Sequence, residues 1–150
     1  MVDHPHTPEA ERAYALAGEL RALIGKLRRR MREQSNPGDL TPSQKSVVVR
    51  LEREGPATVS SLARAEGMRP QSMGAAIAAL DAAGFITGAP DPNDGRQTLL
   101  SLTDACREWI REGRAARQDW LFRAMQAKLS LAEQEKLAEA VELSRRIADD

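Results

Sequence analysis

The side chains best placed for chemistry lie in two short stretches. In Asp91-Pro92-Asn93-Asp94-Gly95-Arg96 a guanidinium ends a run of turn-forming residues, two positions after a carboxylate. Pro, Asp, Asn and Gly favour turns, and this run separates the strand-like Phe85-Ile86-Thr87 from the apolar Leu99-Leu100-Ser101-Leu102. The spacing predicts a hairpin with Arg96 at its tip, and, if the arm is extended, Asp94 and Arg96 on the same side. A guanidinium on such an arm can enter a narrow, electronegative groove of DNA. Turn formation accounts for Asp91, Pro92 and Asn93 but does not by itself require an arginine.

The second stretch is Arg69-Pro70-Gln71-Ser72-Met73. Pro70 opens a helical pattern in which Met73, Ile77 and Leu80 (i, i+4, i+7) form the expected buried stripe. That leaves Gln71, Ser72, Ala75 and Ala78 facing outward. The Gln71 carboxamide matches the donor and acceptor of an adenine edge, and Ser72 can reach a base or a phosphate. The alanine methyls can meet thymine methyls, and Arg69 can take a phosphate or a base. An ordinary solvated helix surface is the competing account.

Both stretches need a scaffold. Thr58 or Ser60 caps a short helix packing through Leu62 and Ala63, and Glu66-Gly67-Met68 joins it to the helix opened by Pro70. Helix, turn, helix and hairpin in that order outline a winged helix. Upstream, Thr41-Pro42-Ser43-Gln44 is a capping box opening a helix through Val47, Val48 and Leu51, which Gly55-Pro56 ends. Before it, Thr7-Pro8-Glu9 starts a long helix with Leu16, Leu20, Leu23, Leu27 and Met31 in register, stopped by Ser35-Asn36-Pro37-Gly38. At about 27 residues, roughly 40 Å, that helix is too long for a small domain to cover and wants a partner helix. After the hairpin, Thr103-Asp104 caps a helix holding Trp109, Ile110, Trp120, Leu121 and Met125. A second capping box at Ser130-Glu133 starts a last helix with Leu137, Val141, Ser144 and Ile147. Trp109 and Trp120, eleven apart, share a face, as core or interface aromatics or as the wall of a ligand pocket.

Composition bounds the function. The 150 residues are 41% apolar and 29% charged but only 3% aromatic, so the expected core is aliphatic and helical. The 22 basic and 22 acidic residues cancel, so a nucleic-acid partner must be argued from local arrangement. From Thr58 to Leu100 there are three basic residues (Arg64, Arg69, Arg96) against four acidic ones (Glu66, Asp81, Asp91, Asp94), a balance of −1. Lys45, Arg50 and the run Arg28, Arg29, Arg30 and Arg32 are further cations, the run being read as a solvated face with Glu33. Single Cys106 excludes an intrachain disulfide framework. It stands in the first turn of its helix, where a lowered thiol pKa would make a redox switch, but the nearby Asp104 opposes a thiolate and a small structural residue is expected. His4 and His6, in a loose tail spanning Met1 to His6, lack further metal ligands. No signal pattern and no long apolar run is found, so a cytosolic protein without membrane contact is expected. There is no phosphate loop, metal cluster or nucleophile–base arrangement, which argues against an enzyme and against a cofactor.

Several of these segments together resemble the MarR family of bacterial winged-helix regulators. They are Leu40-Thr41-Pro42, Gly55-Pro56-Ala57-Thr58, Leu62-Ala63, Arg69-Pro70-Gln71-Ser72-Met73, Leu80-Asp81-Ala82-Ala83-Gly84-Phe85-Ile86 and Asp91-Pro92-Asn93-Asp94-Gly95-Arg96. The most specific element is Asp94-Gly95-Arg96 placed after Leu-x-x-x-Gly-Phe-Ile. The resemblance implies a mostly α fold with a small β-hairpin, a single domain over 1–150. A winged-helix lobe would span about 41–102, with dimerisation helices at about 7–34 and 103–148. It further implies a homodimeric repressor or activator on a pseudo-palindromic site in double-stranded DNA. The helix of Gln71 would enter the major groove and the wing the flanking minor groove, with Asp94 orienting Arg96. A small amphipathic effector, often phenolic in relatives, is implied between the dimerisation helices and the lobe; no pocket residues can be named for it. Relatives commonly carry basic residues just before the wing, where this chain has Gly88-Ala89-Pro90, so a weaker wing contact is expected.

The DNA-contact set expected here is therefore Arg69, Gln71, Ser72, Ala75, Asp94 and Arg96. A near-neutral lobe with an alanine-rich helix also fits a dimeric winged-helix protein that works through protein–protein contacts without DNA.

Overall fold

The computed structural model describes residues 6–34 and 40–149. The elements in chain order are α1 (Pro8–Glu33), α2 (Pro42–Glu54), β1 (Ala57–Thr58), α3 (Val59–Glu66), α4 (Pro70–Ala82), β2 (Ile86–Pro90), β3 (Thr98–Leu102), α5 (Asp104–Lys128) and α6 (Leu131–Ala148). The chain divides into two compact units, one over residues 36–114 and one formed by residues 1–35 with 115–150. The chain is mostly helical with one small antiparallel sheet, as expected. The expected stop at Ser35-Asn36-Pro37-Gly38, and the tail residues before His6, lie outside the described residues.

The unit of residues 36–114 holds the core. Val47, Val48 and Leu51 from α2 meet Leu62 and Ala63 from α3, Met73 and Leu80 from α4, Ile86, Leu100 and Leu102 from the sheet, and Cys106 from α5. None of these buried residues is aromatic, and Leu62, Met73, Leu80, Val47 and Cys106 are fully buried. Both expected capping boxes form: Thr41 with Gln44, and Ser130 with Glu133. Thr58, rather than Ser60, caps α3 by accepting from the Ser61 amide at 3.2 Å. The stripe on α4 differs from expectation by one residue. Ala76 is buried with Met73 and Leu80, and Ile77 is only partly buried. Spacings of three and seven keep Ala76 nearer the axis of contact, and a small residue there lets α4 lie close to its neighbours.

The sheet has three strands in the order β1–β3–β2, not the hairpin alone. Ala57 pairs with Leu100 and Thr58 with Leu99, so the residues leading into α3 also close the sheet. On the other side β2 pairs with β3 from Ile86 opposite Leu102 to Pro90 opposite Thr98. Pro90, which cannot donate a ladder hydrogen bond, sits at the end of an edge strand, where this is tolerated.

In the other unit, no residue of α1 or α6 is buried. Leu16 and Leu23 on α1, and Leu143 and Ile147 on α6, are more than half exposed, and Val141 on α6 is about half exposed. Ala13, Leu16, Ala17, Leu20, Ile24 and Ile147, with Arg21 beside them, line an open apolar groove of about 460 Å³. The Arg30 guanidinium lies 5.7 Å from the Trp120 ring centroid and 3.9 Å from Glu33, so one member of the arginine run is spent on local contacts. No helix among the described residues is long and apolar enough to cross a membrane.

Candidate nucleic-acid interface

The helix-turn-helix is closed by a glycine in a backbone conformation that residues with a Cβ rarely adopt. Gly67 ends α3 in the left-handed region (φ 63°, ψ 30°), and the Met68 amide reaches back to the Ala63 carbonyl at 2.9 Å. This six-to-one bond is a Schellman closure, and partly buried Met68 supplies its apolar contact. The same device recurs after α4, where Gly84 (φ 76°) turns the chain and the Phe85 amide bonds the Leu80 carbonyl at 2.9 Å. Phe85 then packs against Trp109 of α5 with the rings tilted by 41°, centroids 5.2 Å apart. The two glycine turns thereby fix where α4 begins and ends.

Arg69, Gln71, Ser72 and Ala75 are all exposed, as is Ala78. Among the described residues, the side chains of Arg69, Gln71 and Ser72 have no hydrogen-bond or ion-pair partner, so their polar groups are available to a ligand. The start of α4 is also chemically distinct. A hydroxyl accepts from the third amide of α1, α2, α3, α5 and α6, from Thr7, Thr41, Thr58, Thr103 and Ser130 respectively. At α4 the cap residue is Arg69, whose side chain makes no cap hydrogen bond. Its first amides therefore face outward with the positive end of the helix dipole, an arrangement suited to an anion.

The wing is a tight turn rather than an extended arm, which corrects one expectation. The Asp91 carboxylate accepts from the Asn93 amide at 3.0 Å, and the Asp94 carboxylate from the Arg96 amide at 3.1 Å. Asp91 and Gln97 close the loop by a backbone bond of 2.9 Å. Asp94 and Arg96 still share a side, because the turn curls one over the other: Arg96 Nε is 3.9 Å from Asp94 Oδ1. At that distance the pair holds the arginine loosely, and its side chain is 96% exposed. Beyond Ile86 every residue of β2 is exposed, so the wing stands clear of the core. Gly88 is required there: a Cβ on it would come within 2.6 Å of the Thr98 methyl.

Arg50, expected among the cations available to a partner, is engaged within the fold. Its Nε donates to Glu66 at 2.7 Å and its Nη1 to Glu54 at 3.1 Å. The hydrogen bond to Glu66 raises its pKa, against the opposing effect of burial. Sequence reading missed the pair because its partners lie sixteen residues apart on different helices. A second such link joins Arg114 of α5 to Glu52 of α2 at 2.6 Å. Burial, the largest influence, pushes the Cys106 thiol up, with Glu52 adding to it and Arg107 opposing. The residue is wholly enclosed, in keeping with a structural role.

Comparison with known proteins agrees with this geometry. The MarR family profile matches residues 40–98. The HTH-type transcriptional regulator MT0903.1 of Mycobacterium tuberculosis is 36% identical over 135 residues, covering 90% of this chain and 94% of that protein. A crystal structure from Pseudomonas aeruginosa superposes with a TM-score of 0.76 at 34% identity, covering 93% of this chain and 97% of its own. The F27L mutant of Staphylococcus aureus MepR, solved bound to an oligodeoxyribonucleotide, shares the fold with a TM-score of 0.67 at 15% identity, over 89% of this chain and 98% of its own. With the helix-turn-helix, the wing and a relative of this identity over nearly the whole length, the chain belongs to the MarR family of winged helix-turn-helix transcriptional regulators.

Proposed function

We propose that this chain works as a homodimeric, sequence-specific repressor on a pseudo-palindromic operator, acting in the cytoplasm. In this reading α4 lies in the major groove and the turn at Asp94-Gly95-Arg96 enters the flanking minor groove. The observation that carries it is the start of α4, where uncapped amides, Arg69, Gln71 and Ser72 are exposed together and without internal partners. A phosphate at those amides would complete the helix end and set register. Gln71 and Ser72 would then read base edges, with Ala75 against a thymine methyl. Arg96 supplies the wing contact and Asp94 shapes the turn that presents it.

Two-fold pairing is supported by the exposed apolar residues of α1 and α6, which the described residues leave uncovered. Pairing two lobes gives through avidity what one near-neutral lobe lacks. Relief by a small amphipathic effector rests on family membership. MepR, which was solved with DNA, supports nucleic acid as the partner class.

The test is selection of bound sequences from random duplex DNA, followed by affinity measurements with the wild type and Arg96→Ala. Enrichment of an inverted repeat, with weakened binding by the variant, supports the reading. If neither protein binds any duplex at modest salt, the alternative of a winged-helix protein acting through protein contacts takes its place.

A further inference from the structure

Three glycines of the winged helix have reasons inside the fold: Gly67 and Gly84 adopt positive φ, and Gly88 faces the Thr98 methyl. Gly74 is different. It lies inside α4, is exposed, has ordinary helical backbone, and a Cβ on it would meet nothing within 4 Å. Glycine is the least favourable helix-interior residue after proline, so this position lowers the stability of α4, and no contact among the described residues requires it. It stands three residues after Gln71 and four before Ala78, on the outward surface of the helix.

We infer that Gly74 is a specificity-determining position, where α4 comes closest to the base edges of the major groove. The inference rests on the reading of α4 as the recognition helix. A missing side chain lets backbone approach a ligand closely. A methyl group there would hold the helix away from the bases and stretch the hydrogen bonds of Gln71, which fail beyond about 3.2 Å. Arg69 and Arg96 have long side chains that absorb such a shift, so phosphate contacts survive it.

The experiment compares wild type with Gly74→Ala on two duplexes: a sequence enriched by the wild type from random DNA, and a scrambled duplex of equal length and composition. The variant should melt a few degrees higher, because the helix gains propensity. It should bind the enriched sequence about tenfold or more weakly, equivalent to about 1.4 kcal/mol. Its binding to the scrambled duplex, dominated by phosphates, should stay within about twofold. Undiminished affinity for the enriched sequence overturns the inference and leaves the regulator reading intact. So does a lower melting temperature, which would mean that the fold itself needs the glycine. If the wild type enriches no sequence, the regulator reading fails, and the role of Gly74 fails with it.

Discussion

Glu66, in the last turn of α3, accepts a hydrogen bond from the Nε of Arg50 on α2 at 2.7 Å, while the same guanidinium holds Glu54 at 3.1 Å. One planar fork thus fastens two acids from different helices immediately before the helix-turn-helix glycine. Arg50→Lys keeps the charge but cannot make both contacts in that geometry. It should lower the melting temperature nearly as much as Arg50→Ala does. A lysine variant that melts like wild type would reduce the contact to a simple charge pair.

At the wing, Arg96→Ala should leave thermal stability unchanged, since the side chain is almost wholly exposed. Its affinity for a selected operator should fall about tenfold or more per dimer, each lost contact being worth about 1 kcal/mol or more. Asp94→Asn is the informative companion. It keeps the oxygen that accepts from the Arg96 amide and removes a negative charge facing the phosphates. Its affinity should equal or exceed that of wild type, whereas Asp94→Ala, which opens the turn, should bind less well. Equal losses in both Asp94 variants would show that the charge, not the turn, matters.

Salt dependence follows from the charge count. With Glu66 and Arg50 neutralising each other and Arg69 and Arg96 among the few cations facing outward, phosphate contacts are few. The slope of log K against log salt on a selected operator should be shallow, with a magnitude under about 6. A slope near −10, as for a strongly basic repressor, would require cations beyond those of the lobe.

Cys106 predicts an alkaline effect on stability. Burial raises its pKa in the fold, so an unfolded chain loses the thiol proton first. The stabilisation is fully present below the ordinary thiol value, about 8.5, and declines as pH rises through it toward the raised value. Denaturant unfolding at several pH values between about 7 and 10 should show a steeper alkaline decline for wild type than for Cys106→Ala. The native thiol should also resist alkylation at neutral pH without loss of DNA affinity. Rapid alkylation of the folded protein would contradict both.

Much of the winged helix was legible because its signals are local. Capping boxes at Thr41 and Ser130, the glycine joint at Gly67, and the turn residues around Asp94 act within a few positions of themselves. The exposed surface of α4 followed from periodicity once Pro70 set its start. What escaped depended on packing at a distance. β1 is two residues long and shows no alternation, existing only because β3 runs beside it. Ala76 is buried where Ile77 was expected, while Ile77 packs against the core only partly buried, a difference of side-chain size that periodicity alone does not weigh. Arg50 read as an available cation because nothing near it in the chain reveals Glu66.

The Thr103 hydroxyl donates to the Gly84 carbonyl at 2.6 Å and accepts from the Cys106 amide at 3.2 Å, while the Thr103 amide bonds Phe85 at 3.1 Å. The residue that starts α5 is thereby bolted to the turn that finishes α4, with no slack loop between them. Mechanically, a displacement at the first turn of α5 has to carry the end of α4 with it or break these bonds.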